Sequence, residues 1–157
     1  MAKRILRVYA DTSVFGGVFD EEFSDGSRTF FDQVRAGRFL LATSATVEEE
    51  IAAAPIHVRR LFETAPVAEV LEVTGAALDL RAAYLQAGIV PPKSRTDALH
   101  VALATIDGCS LVVSWNFAHI VHFEKIPLYN KVNALKGYGP IAIYSPLEVI
   151  DYENQDL

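Results

Sequence analysis

Five short apolar runs, spaced apart by stretches of helical periodicity, constrain this chain more than any other feature. Residues 5–10, 39–43, 67–73, 110–114 and 141–144 are rich in aliphatic and β-branched side chains and read as strands. Between them, residues 28–36, 76–87 and 96–106 carry apolar positions at helical spacing, and Gly37 and Gly88 follow two of these stretches as helix stops. A further helix opens where Ser44-Ala45-Thr46 precedes Glu49 in the pattern of a capping box, and it runs to Ala54, where Pro55 closes it. The stretch from Phe15 to Phe23 reads as loop, and residues 125–140 have no clear period. Strands alternating with helices at this spacing predict an α/β fold with a mainly parallel sheet and right-handed crossovers.

Residues 96–106 are apolar on nearly every face, so this helix is expected to be buried all round. The chain has 157 residues, enough to bury roughly 70% of the unfolded surface and so to form a core without metal or disulfide staples. With one cysteine, Cys109, a disulfide scaffold is excluded and a reduced, buried thiol in a cytoplasmic protein is expected. No apolar run approaches the roughly 20 residues of a membrane helix. The first strand turns polar at Asp11 before a signal-peptide core forms, so secretion is not expected. No repeat, low-complexity tract or linker divides the chain.

The chemistry concentrates just beyond the strand ends, where parallel α/β sheets bind ligands. Asp11-Thr12-Ser13 follows the first strand, Thr43-Ser44 the second, and Trp115-Asn116 the fourth. Asp11 suits either a helix cap or a metal ligand, and the Thr12 and Ser13 hydroxyls can orient it or satisfy helix N–H groups. Of the three glutamates at 48–50, helical phase puts Glu50 about 60° from the centre of the Val47–Ile51–Ala54 face, Glu48 about 100°, and Glu49 on the far side. Glu50 is therefore the acid nearest the sheet. Asp97 opens the buried helix, where a carboxylate must be hydrogen-bonded or coordinated. His100 lies one turn on and reads as a satisfied core histidine. Asn116 reads as a turn residue, or as an acceptor for a water if it faces Asp11 across neighbouring strands.

Several classes lack their signatures. There is no Gly-x-Gly-x-x-Gly, no P-loop, no zinc-type Cys/His spacing and no Gly-x-Ser-x-Gly elbow. A phosphatase using Asp-x-Asp after the first strand would need an acid where Ser13 stands. The net charge of −6 argues against nucleic-acid binding by bulk charge, though not against an enzyme whose clustered carboxylates hold a divalent cation.

Taken together, Val8-Tyr9-Ala10-Asp11-Thr12-Ser13, Ser44-x5-Glu50-Ile51, Asp97-Ala98-Leu99-His100-Val101-Ala102 and Ser114-Trp115-Asn116-Phe117-x-His119 resemble the PIN-domain family, which includes the VapC toxins of type II toxin–antitoxin systems. The resemblance spans nearly the whole chain and implies a single PIN-like domain over residues 1–157, a three-layer α/β/α sandwich around about five strands. It also implies a metal-dependent ribonuclease using Mg²⁺ or Mn²⁺, with Asp11, Glu50 and Asp97 as the metal-binding acids. Asn116 then occupies the family's fourth acidic position and His119 the place of a further acid. Thr12, Ser13 and His119 would support the acids, and Lys93 and Arg95, just before Asp97, would contact RNA. Arg28, Arg35 and Arg38 are further candidates for that contact, and for all five cations solvated surface charge is the other reading. The implied partners are an RNA substrate, an antitoxin protein and a second copy of the chain. Phe15, Phe19, Phe23, Phe30 and Phe31 could line a groove for a protein partner or belong to the core. Asn116 and His119 also motivate a competing class, a PIN-fold binding module with little or no turnover.

Overall fold

The computed structural model describes residues 5–152, and within them five strands form one fully parallel sheet of order β3-β2-β1-β4-β5. The strands are β1 (Leu6–Ala10), β2 (Phe39–Ser44), β3 (Val67–Leu71), β4 (Leu111–Val113) and β5 (Ala142–Tyr144). All five lie where the apolar runs predict them, and β3 ends two residues earlier than expected, at Leu71. The central strands are apolar because both of their faces are covered: Val8, Tyr9, Ala10, Leu41, Ala42, Val112 and Val113 are at most 1% exposed.

The helices are α1 (Thr12–Gly16), α2 (Ser24–Arg35), α3 (Ala45–Ala52), α4 (Ile56–Thr64), α5 (Gly75–Gln86), α6 (Arg95–Ile106), α7 (Lys125–Leu135) and α8 (Pro146–Val149). They pack in two groups, one of α1, α2, α3, α4 and α8, the other of α5, α6 and α7. With right-handed crossovers these groups cover opposite faces of the sheet, giving the three-layer α/β/α arrangement. Helix α6 is buried without interruption from Ala98 to Thr105, as its all-round apolar sequence requires. Gly37 ends α2 with φ of +88°; its N–H bonds the Val34 carbonyl at 2.9 Å while the Arg38 N–H bonds that of Gln33 at 3.0 Å.

Four local expectations change. The segment after Asp11 is not a loop: it forms α1 and then a 3₁₀ turn over Gly17–Phe19. The cap of α3 is Ser44, whose Oγ accepts from the Val47 N–H at 3.2 Å, so Thr46 and Glu49 form no capping box. Pro55 begins α4 as well as closing what precedes it. Residues 125–135 are helical, with Pro127 tolerated in the first turn, where its missing N–H would have no intrahelical partner.

Phe15, Phe30 and Phe31 are core, 0%, 0% and 2% exposed, and so line no partner groove. Phe19 is exposed against His57, and Phe23 is half-buried against Trp115. Among the described residues, no helix is long and apolar enough to cross a membrane.

Candidate functional site

Chain order reverses between β1 and β4: β1 connects towards β2 and β3, whereas β4 connects towards β5. The carboxyl ends of these two neighbours therefore flank the crevice where ligands of such sheets bind. Asp11 sits there. Its backbone occupies the N-cap position of α1, yet its side chain caps no helix N–H. Instead Oδ1 accepts from the Ser13 hydroxyl at 2.6 Å and Oδ2 from the Ser114 hydroxyl at 2.7 Å, across from β4. Asp11 is 4% exposed. Burial pushes its carboxyl above the ordinary value, and His100 together with the two hydroxyl bonds offsets this only in part.

Glu50 is reached from two directions. The Thr12 hydroxyl donates to its Oε1 at 2.7 Å, and His100 Nε2 lies 3.0 Å from the same oxygen. Burial alone would push this carboxyl up, but the His100 and Thr12 bonds outweigh it and hold it below its ordinary value. Because both donors fall on Oε1, Oε2 makes no hydrogen bond to a described residue.

Behind Glu50 runs a buried polar chain whose donors agree in one direction. The Val47 N–H donates to Ser44 Oγ, which lies 2.8 Å from the Tyr9 hydroxyl, which in turn lies 2.7 Å from His100 Nδ1. With Ser44 donating to Tyr9 and Tyr9 to Nδ1, the ring hydrogen belongs on Nε2, facing Glu50. Burial pushes the Tyr9 hydroxyl well above its ordinary pKa, which keeps it a donor. His100 is thus satisfied, as a core histidine should be, and it also orients a candidate site residue. Tyr9→Phe leaves the His100 and Ser44 atoms without their shared partner inside the core. The expected cost is about 1–3 kcal/mol in chemical denaturation.

Asp97 lies in the first turn of α6, three residues before His100 and so on a neighbouring part of the same helix surface. It is half-buried and makes no side-chain hydrogen bond to a described residue. Its charge reaches Tyr129, adding to burial in pushing that hydroxyl up, and Tyr129 donates to the His119 carbonyl at 2.7 Å. Asp97 and the segment after β4 therefore both lie near Tyr129.

Asn116 is joined to Asp11 through Ser114, whose Oγ accepts the Asn116 N–H at 2.9 Å. Its amide oxygen caps the following turn by accepting the His119 N–H at 3.0 Å, the turn role that was one of its two readings. The side-chain nitrogen makes no hydrogen bond to a described residue. The His119 ring lies 3.2 Å from Lys125 Nζ rather than on an acid. Lys93 and Arg95 are exposed just before Asp97, in a 3₁₀ turn and the first residue of α6. Arg28 bonds Ser24 and the Val18 carbonyl, Arg35 bonds Asp32, and Arg38 bonds Gln33 and the Val149 carbonyl.

Three residues of this network carry a role that the sequence did not give them: Tyr9, Ser114 and, as an orienting group, His100. Tyr9 reads as one more β-forming residue, and only a hydroxyl at a position buried on both faces hints that a partner is needed. Ser114 directly after β4 mirrors Ser13 after Asp11, which is the usable signal.

Among the described residues, no group of three His, Cys, Asp or Glu closes into a metal cage. The acids are hard oxygen donors of the kind Mg²⁺ takes: Asp11 is buried, Glu50 Oε2 accepts from no described residue, and half-buried Asp97 makes no side-chain hydrogen bond to one.

No family model and no curated protein matches the sequence. A chain of the crystal structure of VapBC2 from Rickettsia felis, bound to a DNA fragment from their promoter, is similar in fold, with a TM-score of 0.59 and 13% identity. The match covers 88% of this chain and 98% of that one. The shared architecture is the PIN-like α/β fold that the sequence resemblance implies.

Proposed function

We propose that this chain is a metal-dependent endoribonuclease of VapC type, in which Asp11, Glu50 and Asp97 hold Mg²⁺ or Mn²⁺ beyond the carboxyl ends of the strands. The observation that carries this reading is Asp11 itself. A carboxylate kept buried at a strand end, with hydroxyls on both oxygens and a raised pKa, is costly unless a cation joins it. When bound, a divalent cation supplies positive charge to the phosphate and lowers the pKa of the attacking water.

The chain's own residues do the rest. Ser13 and Ser114 fix the Asp11 carboxylate plane, and Thr12 and His100 turn Glu50 so that Oε2 stays available. Asn116, through Ser114, ties the segment after β4 to Asp11. Lys93 and Arg95 lie beside Asp97 and would contact RNA phosphates. The likeness in fold to a chain of the VapBC2 structure supports an antitoxin partner, and the same reading carries a homodimer and a cytoplasmic location.

The test is incubation of the pure protein with a mixed pool of single-stranded and hairpin RNA, with Mn²⁺, with Mg²⁺ and with EDTA. Cleavage that requires metal is expected. Absence of both cleavage and any rise in melting temperature with Mn²⁺ would favour the second reading, a PIN-fold binding module. The engagement of the Asn116 oxygen in a turn is the feature that favours that alternative.

A further inference from the structure

The geometry points to a guanine-binding pocket beside the carboxylate site, an inference that rests on the nuclease reading and adds to it the base recognised next to the scissile phosphate. A cavity of about 280 Å³ is lined by Ser13, Gly16, Gly17, Asp20, Phe23, Trp115 and Asn116. That volume lies just below the roughly 300–1,000 Å³ of small-molecule sites, so it suits one ring system.

Its walls have the chemistry of a base site. Phe23 stacks on Trp115 with centroids 4.4 Å apart and planes 14° from parallel, and half-exposed Phe117 meets the indole edge-on at 6.4 Å. The backbone of Gly17 lies so close to Trp115 that an added Cβ would fall 2.7 Å from the indole nitrogen. Gly16, by contrast, opens into free space. Trp115 is 5% exposed and stacked on by Phe23, so half-buried Phe23, which lines the cavity, is the ring left for a base to stack on; single-stranded RNA is recognised by such stacking together with hydrogen bonds to the Watson–Crick edge.

The polar groups select the base. Asp20 spends Oδ1 on the Glu22 N–H at 2.9 Å and keeps Oδ2 as an acceptor, and Asn116 keeps its side-chain N–H₂ as a donor. Guanine alone presents two adjacent donors, N1–H and N2–H₂, for a carboxylate and an O6 acceptor for an amide N–H. The Asp20 charge also disfavours a phosphate in this position. Since Ser13 lines the pocket and donates to Asp11, a nucleotide whose base sits here carries its phosphate towards the acids.

Trp115 is the only tryptophan in the chain, so base binding reports on its fluorescence. Guanosine, inosine, adenosine, cytidine and uridine monophosphates are titrated into the wild type, Asp20→Asn and Gly16→Leu. Saturable quenching by guanosine monophosphate at least ten-fold tighter than by the adenine and pyrimidine nucleotides is expected, with inosine monophosphate between. Asp20→Asn should erase the preference. Gly16→Leu should fill the cavity and abolish quenching while circular dichroism and melting temperature stay unchanged. Equal quenching by all five, no quenching, or a preference that survives Gly16→Leu would overturn the pocket. Cleavage of the RNA pool, measured in parallel, separates the two readings. Metal-dependent cleavage without guanine binding overturns only the pocket, whereas saturable guanine binding without cleavage overturns only the nuclease.

Discussion

Trp115→Ala is expected to cost the fold about 3–5 kcal/mol, the range for truncating a buried tryptophan. The side chain is 5% exposed and is enclosed on several sides. Its indole N–H donates to Ser27 Oγ at 2.9 Å, and Ser27 in turn donates to the Val14 carbonyl at 2.7 Å. Gly17 and Gly26 approach so closely that a Cβ on either would stand 2.7 Å from the ring. Truncation therefore leaves a cavity bounded partly by backbone, which cannot collapse inwards as side chains can. It also leaves the Ser27 hydroxyl without the donor it accepts from. Denaturation followed by circular dichroism measures the loss, since the variant has no tryptophan fluorescence. A loss below about 1 kcal/mol would mean that the site relaxes around the missing ring.

Asp11→Asn is expected to lower RNA cleavage by at least about 100-fold, of the order seen when one preorganised charge-stabilising group is removed, while leaving the protein folded. The stability profile carries the physical argument. Because burial raises the Asp11 pKa, the folded protein holds this proton more tightly than the unfolded chain does. The stabilisation is complete at pH below the ordinary aspartate value of 3.8 and is lost as pH rises through the higher folded value. Metal-free wild type should therefore lose stability over that rise, and Asp11→Asn, which carries no charge, should lack this component. Glu50 has the opposite sign: its lowered pKa gives stability that is present above the ordinary value and lost as pH falls through the folded one. Thermal melts from pH 4 to pH 8 in EDTA distinguish the two contributions. A steeper profile in Asp11→Asn than in wild type would contradict the assignment.

Much of the layout was legible because the sheet is buried on both faces. Strands such as 8–10 and 111–113 have no solvent side, so their sequences are continuous apolar runs that stand out from the helices. The placement of the three acids was legible because each follows or opens an element whose own pattern is strong: Asp11 after β1, Asp97 at the start of all-buried α6, and Glu50 by phase on α3. Helix α4 was less visible, since Pro55 reads as a stop although Val58, Leu61 and Phe62 have helical spacing. Helix α7 was obscured by Asn133, a polar residue at a fully buried position. Its partners, Tyr84 on α5 and Thr105 on α6, are 49 and 28 residues away, and no local pattern announces them. The same holds for Tyr9, which meets Ser44 and His100 at separations of 35 and 91 residues. Local sequence carries burial and phase; it does not carry which buried polar groups will find each other.

The most direct test of joint metal binding by Asp11, Glu50 and Asp97 is a Mn²⁺ titration followed by the electron paramagnetic resonance signal of the free ion. Wild type, Asp97→Asn and Glu50→Gln are compared at equal protein concentration. A saturable site in wild type, weakened at least ten-fold in each variant, is the expected result. Equal Mn²⁺ binding by all three proteins, or none by the wild type, would contradict it.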